Sequence, residues 1–291
     1  MRIRSKGSIA FDIFNYIILA LAAGSMLFPF LYILAVSISP LDQVMRGGLI
    51  LWPEKFNFDS YKLILDNQHF IKALKVTVLL TVVGTVMNLV LTCTMAYPLS
   101  KKRLKGRSVI LFLVMFTMLF QGGMIPSFLV VKWLDLLNTF WAVIVPVGIY
   151  AFNLIILKNF FQSIPEALEE SARIDGCSNL GVLWKIVLPL SMPALATFTL
   201  FYSVGHWNQF FLSVLYVTDS SLWPIQVVLR QMIIQGSIEE YQAAIANGDI
   251  ATLPTTLKMA AIIVATIPIL CVYPFLQKHF AKGVMLGSVK G

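Results

Sequence analysis

The chain has 291 residues, 58% of them hydrophobic and only 12% charged, with a formal net charge of +8. A soluble domain is about 45–50% apolar. This composition therefore excludes an ordinary water-soluble core and makes an all-α membrane protein the expected class. The basic residues sit between apolar runs, so they are read as topological markers and not as a nucleic-acid surface.

Six charge-free runs are long enough to cross a bilayer, which needs about 20 apolar residues. They are 13–41, 76–100, 108–131, 136–157, 186–218 and 259–277. The expected helical cores are 14–38, 71–97, 108–131, 138–160, 194–217 and 258–279. The first run has a basic lead of Arg2, Arg4 and Lys6. It is too long for a secretory core of about 7–15 residues, so it reads as an uncleaved first span. Pro189 and Pro193 break the start of the fifth run, because each removes a backbone donor.

With the N-terminus cytoplasmic, the inside segments are rich in lysine and arginine. Three fall at the N-terminus, five in KKRLKGR at 101–107, three within 158–185 and three in the C-terminal tail. Both termini are then cytoplasmic. The 101–107 cluster is read as a topology determinant in preference to a lipid-recognition element.

Two outer loops are long. Residues 39–70 mix Asp42, Glu54, Asp59 and Asp66 with aromatic side chains, and residues 218–257 contain an apolar run at 222–229 too short to span. That run is expected to fold with 231–238. No repeat or low-complexity linker is evident, so residues 1–291 are read as a single domain.

The usual catalytic constellations are missing. There is no GxxxxGK[ST] phosphate loop and no HExxH. Cys93, Cys177 and Cys271 have neither metal nor disulfide spacing. No span has a centred Asp or Glu of the kind that ion-coupled carriers use. The chain is expected to be no enzyme and to hold no metal or cofactor of its own.

The spans are polar through Asn, Gln, Thr, Ser and Tyr, which suits a neutral, hydroxyl-rich solute. Asn88, Tyr150, Asn153, Trp207, Asn208 and Gln209 are the solute-pathway candidates. Trp207 offers a stacking face, and the amides offer hydrogen bonds. The same side chains equally serve bonding between helices, and both readings stand.

Charge concentrates between spans four and five, in EALEESARIDGCSNLGVLWKIVLPLSMP at 166–193. Ser163 and Glu166 have the capping-box form. Glu166, Glu169 and Glu170 fall near the positive end of the helix dipole, and Glu169 and Arg173 form an i,i+4 pair expected on an exposed face. Gly176 is a natural stop. Ser178 or Asn179 can cap a second short helix, which Pro189 ends. Ala167, Ser171 and Ala172 form a small-residue surface that a partner can approach closely.

This stretch resembles the EAA loop of ABC importer permeases: E-A-A, three residues, Gly, nine residues, Ile, one residue, Leu-Pro. Here Glu170-Ser171-Ala172 precedes Gly176, Ile186 and Leu188-Pro189 at the same spacing, with Ser171 in place of the middle Ala. WNQFF at 207–211 and YPFLQKHFAKGVMLGSVKG at 273–291 are similar to the MalG-like permeases of carbohydrate importers, and to the LplC/YtcP group among them.

The resemblance implies a MetI-like transmembrane domain of six spans, with a core permease region at 71–279 and a coupling loop at 163–190. It implies ATPase-coupling roles for Glu170, Ser171, Ala172, Asp175, Gly176, Ile186 and Pro189. The implied partners are a second, related permease, two cytoplasmic ABC ATPase subunits that bind ATP and Mg, and an extracellular solute-binding protein. The 218–257 loop is expected to reach toward the binding protein. The tail lysines Lys278, Lys282 and Lys290 are expected to lie against the ATPases. The implied activity is import of a carbohydrate, an oligosaccharide by preference. The alternative is a six-span secondary carrier for a small polar solute, although the threefold repeat of mitochondrial carriers is missing.

Overall fold

The computed structural model describes residues 6–234 and 255–288, and all regular structure among them is helical. They fall into two compact units, Met1–Ile71 with Leu229–Thr266 and Lys72–Val228 with Ile267–Gly291. Residues 235–254, Arg2, Arg4 and the side chains of Lys278, Lys282 and Lys290 lie outside the described set, and so do the expectations placed on them.

In the first unit, α1 (Lys6–Ser37) contains an apolar stretch, Phe11–Ser37, whose most hydrophobic window has no residue buried within the chain. A helix satisfies its own backbone hydrogen bonds, so it can present side chains such as Phe14, Leu21 and Met26 directly to lipid. Among the described residues, its last turns pack into a small core. Ala35 and Val36 join Ile50, with Tyr32, Val44 and Met259 against them. Two short helices follow, α2 (Leu41–Met45) and α3 (Asp59–Asp66). Polar bonds tie this region together: Ser37 Oγ to the Tyr61 hydroxyl at 2.7 Å and Ser60 Oγ to Thr256 Oγ1 at 3.0 Å.

The second unit is built on α4 (Gln68–Ser100). Its 33 residues rise about 50 Å, more than the ~30 Å hydrocarbon layer. The helices that follow are α5 (Arg107–Leu119), α6 (Met124–Trp133), α7 (Trp141–Ile144, extended by a 3-10 turn to Val147) and α8 (Ala151–Gln162). The polar insert supplies α9 (Glu166–Ile174), α10 (Asn179–Val182) and, after a π turn at Leu183–Val187, α11 (Leu188–Leu190). In chain order then come α12 (Met192–Trp207), α13 (Phe211–Tyr216), α14 (Ile225–Ile234) and α15 (Thr255–Ser288), of which α14 from Leu229 and α15 up to Thr266 belong to the first unit.

Among the described residues, three helices are long and apolar enough to cross a membrane: Phe11–Ser37, Gln68–Ser100 and Thr255–Val272. Three bent pairs bring the number to six if each is one span. They are α5 with α6 at 120°, α7 with α8 at 53°, and Asn179–Leu190 with α12 at 84°.

Three of the expected cores are therefore redrawn. The core 138–160 is broken at 148–150, between the turn that ends at Val147 and α8, with a bend of 53°. The run 108–131 is not one straight helix. It breaks at 120–123, where Gly123 takes φ +85 and Pro126 enters the first turn of α6. The run 194–217 stops at Trp207, and a short break separates it from α13. Pro189 does not end the second helix of the insert. A π turn precedes it and absorbs the missing amide, and the break falls at Ser191, with Pro193 in the first turn of α12. The short run at 222–229 does enter a helix, α14, up to the edge of the described residues.

Candidate functional site: the cytoplasmic insert and the polar spans

The insert starts where α8 ends. Ser163 does not cap α9, because its hydroxyl donates back to the Phe160 carbonyl at 2.7 Å. The last carbonyls of α8 have no partners within the helix, and they take the hydroxyl that a capping box would need. Pro165 holds the cap position in extended backbone, with no side-chain bond.

The other end of α9 forms as its sequence dictates. Gly176 adopts φ +83. Its N–H donates to the Arg173 carbonyl at 3.0 Å, and the Cys177 N–H donates to the Ala172 carbonyl at 2.9 Å. This is a Schellman stop, which glycine enters without a Cβ penalty. Ser178 Oγ then accepts the Gly181 N–H at 3.2 Å and opens α10.

The two faces of α9 differ. Ala172 points inward and packs in a core with Leu99, Leu154, Phe161, Val182 and Leu183. One turn earlier, Glu169 is only 2% exposed. Lys101 Nζ donates to its Oε1, and Arg173 Nη2 lies 3.8 Å from its Oε2. Lys101 also sits over the Tyr97 ring, 4.8 Å from its centroid. Glu169 is thus a buried anchor and not half of an exposed pair. On the outward face Ala167, Glu170, Ser171 and Asp175 are exposed, and Ile174 is 86% exposed.

Of the seven coupling candidates, Glu170, Ser171, Asp175, Gly176 and Pro189 are on the surface, Ile186 is half-buried and Ala172 faces the chain's own core. Ala172 therefore leaves the expected small-residue surface: it lies i,i+3 from Glu169 on the anchored side. Lys101 and Glu169 were not among the sequence candidates. Their signal was slight, a lysine directly after an apolar span and a glutamate one turn before a core alanine.

The polar residues of the spans form a two-rung ladder between α4 and α12. Asn88 is fully buried, and its Nδ2 donates to the carbonyls of Val147 at 2.5 Å and Gly148 at 2.9 Å. Those two acceptors fix the amide orientation, so Oδ1 accepts from His206 Nε2, also at 2.5 Å. The imidazole occupies the space over Gly84. A Cβ built there would lie 2.5 Å from His206 Cε1 and Nε2. One turn along both helices, Thr92 Oγ1 bonds the Tyr202 hydroxyl at 2.8 Å.

Tyr150 stacks on Tyr202 with centroids 5.9 Å apart, and the Asn153 amide approaches the same hydroxyl. Tyr150 remains 42% exposed and Asn153 half-buried. The remaining candidates gather separately, at the end of α12. Trp207 is buried, Gln209 is half-buried, and Asn208 is exposed with its Nδ2 donating to the Val204 carbonyl at 3.0 Å.

Comparison with known proteins places this arrangement. The family described as binding-protein-dependent transport system inner membrane component matches residues 83–286. The chain is 50% identical to Protein LplC of Bacillus subtilis (strain 168), over 99% of this chain and 97% of that protein. It is 51% identical to the polygalacturonan/rhamnogalacturonan transport system permease protein YtcP of the same organism, over 97% and 98%. Among solved structures it is similar to a chain of a bacterial ABC transporter involved in the import of the acidic polysaccharide alginate. That likeness has a TM-score of 0.88 and 35% identity, and covers 96% of this chain and 100% of the other. The chain belongs to the family of binding-protein-dependent transport system inner membrane components and is a multi-pass subunit of the cell membrane.

Proposed function

We propose that this chain is one permease subunit of an ABC importer that carries a carbohydrate, in the first instance an oligosaccharide, into the cytoplasm. The observation that supports the cargo is the 51% identity, over nearly the whole chain, with a protein named for polygalacturonan/rhamnogalacturonan transport. In this reading the chain is a single transmembrane domain, with its core at 71–279 and its coupling loop at 163–190. It pairs with a second, related permease and receives solute from an extracellular binding protein. Two cytoplasmic ATPase subunits bind ATP and Mg, and this chain has no ATPase site of its own.

The geometry of α9 gives this reading its mechanism. The exposed residues Glu170, Ser171 and Asp175 engage an ATPase, Gly176 sets the turn, and Ile186 and Pro189 carry the chain back to the membrane. The inward residues Glu169 and Ala172 pass displacement to Lys101, at the end of α4, and to the core. A partner shifts a conformational equilibrium only through its differential affinity for the two states. Here the ATP-closed ATPase pair favours the arrangement with the coupling helices drawn together. Tyr150, Asn153, Asn208 and Gln209 face the solute, while Asn88 and Trp207 support the framework around them.

The test is reconstitution of the complete transporter with its binding protein, followed by a screen of oligogalacturonides, alginate oligosaccharides and neutral oligosaccharides. Uptake of one of these with stimulated ATP hydrolysis supports the proposal. Uptake by this chain alone, without ATPases, would favour the secondary carrier. Glu170→Lys is expected to insert and assemble normally but to lower substrate-stimulated hydrolysis about tenfold.

A further inference from the structure

We infer that the cytoplasmic side of this chain carries a binding site for the headgroup of an anionic phospholipid. The site is the cavity of about 630 Å³ between the 101–105 turn and the polar insert. Among the described residues, four cations line it, Lys101, Arg103, Lys105 and Arg173, and no acidic side chain does. Glu169 neutralises part of this charge from beneath, through Lys101 and Arg173. Lys101 and Arg173 are held on Glu169, so the accessible positive charge of the cavity comes chiefly from its outer cations. Arg103 and Lys105 are exposed at the rim.

The rest of the wall selects the kind of anion. Pro98, Leu104, Leu180 and Leu183 line the cavity together with Thr94, which lies further up α4. Leu180 is 66% exposed. A free phosphate gains nothing from this apolar surface, whereas the first methylenes of an acyl chain do. The volume lies within the range of about 300–1,000 Å³ that small-molecule sites occupy. Basic pockets at the cytoplasmic ends of spans are suited to anionic headgroups. A neighbouring cavity of about 350 Å³ borders Lys101, Lys102, Arg103 and Arg173, but Glu166, Glu169 and Glu170 line it too. Three carboxylates offset most of its positive charge, so it favours an anion less. The lipid site is independent of the cargo, so its failure would leave the sugar reading untouched.

The complete transporter, purified in mixed micelles of phosphatidylglycerol and phosphatidylcholine, should retain phosphatidylglycerol selectively when bound lipid is counted by native mass spectrometry. Arg103→Gln combined with Lys105→Gln should weaken that retention about fivefold for each cation removed, with phosphatidylcholine unchanged. Equal retention by wild type and double variant would overturn the proposal. Displacement of the lipid by inorganic phosphate, or equally tight binding of glycerophosphate, would also overturn it by showing a site for small anions. If the double variant fails to assemble, photo-crosslinking of the wild type with a diazirine phosphatidylglycerol decides the matter. Label at 94–105 and 173–183 supports the site, and label confined to other regions refutes it.

Discussion

Lys101 and Glu169 are 68 positions apart in sequence and meet through a single buried ion pair. Removing Lys101 leaves the buried Glu169 carboxylate with only Arg173, 3.8 Å away, at a cost of up to about 3 kcal/mol. Lys101→Met is therefore expected to lower the melting temperature of the purified complex and to loosen α9. The charge exchange Lys101→Glu with Glu169→Lys should recover part of the loss that either change causes alone. If the double exchange is no better than the single ones, the pair does not act as a unit. Gly84 poses a different problem at the same scale. Its hydrogen leaves room for the His206 ring, so Gly84→Ala should cost about 1–3 kcal/mol through overpacking. His206→Ala in the same chain should relieve the clash, although the bond to Asn88 stays broken. Thermal unfolding of the single and double variants in detergent measures both effects.

At the scale of elements, the end of α9 shows what a sequence can specify locally. Gly176, the carbonyls it satisfies and the Ser178 cap all lie within a few residues, so spacing alone predicts them. Gly176→Ala places a Cβ in the left-handed region at a cost of about 1–2 kcal/mol, while Gly176→Asn should be milder. Substrate-stimulated ATP hydrolysis is expected to fall further for alanine than for asparagine. The start of α9 was not legible in this way, because the end of α8 competes for the Ser163 hydroxyl. The burial of Glu169 was not legible either, since its partner belongs to another helix. The 120° turn between α5 and α6 was hidden for another reason. The run 108–131 is charge-free from end to end, and hydropathy records how greasy a segment is but not where it changes direction. Only Gly122, Gly123 and Pro126 mark the place.

At the scale of the molecule, the family was readable because the EAA spacing is local and the apolar runs have the length of a bilayer. The pathway was less readable, because an amide in a span looks the same whether it faces solute or a neighbouring helix. Asn88 is the clearest example, since both of its amide hydrogens and its oxygen are committed inside the chain. That commitment has a consequence for biosynthesis. Asn88 emerges from the ribosome 118 residues ahead of His206. At about 5–20 residues per second, the interval is roughly 6–24 s, during which a carboxamide in the hydrocarbon layer lacks its native imidazole. The nascent α4 must borrow a partner, from an insertase or from lipid headgroups, until α12 arrives. Asn88→Leu is accordingly expected to speed membrane integration of α4 in chains arrested before residue 147, yet to lower the melting temperature of the finished subunit.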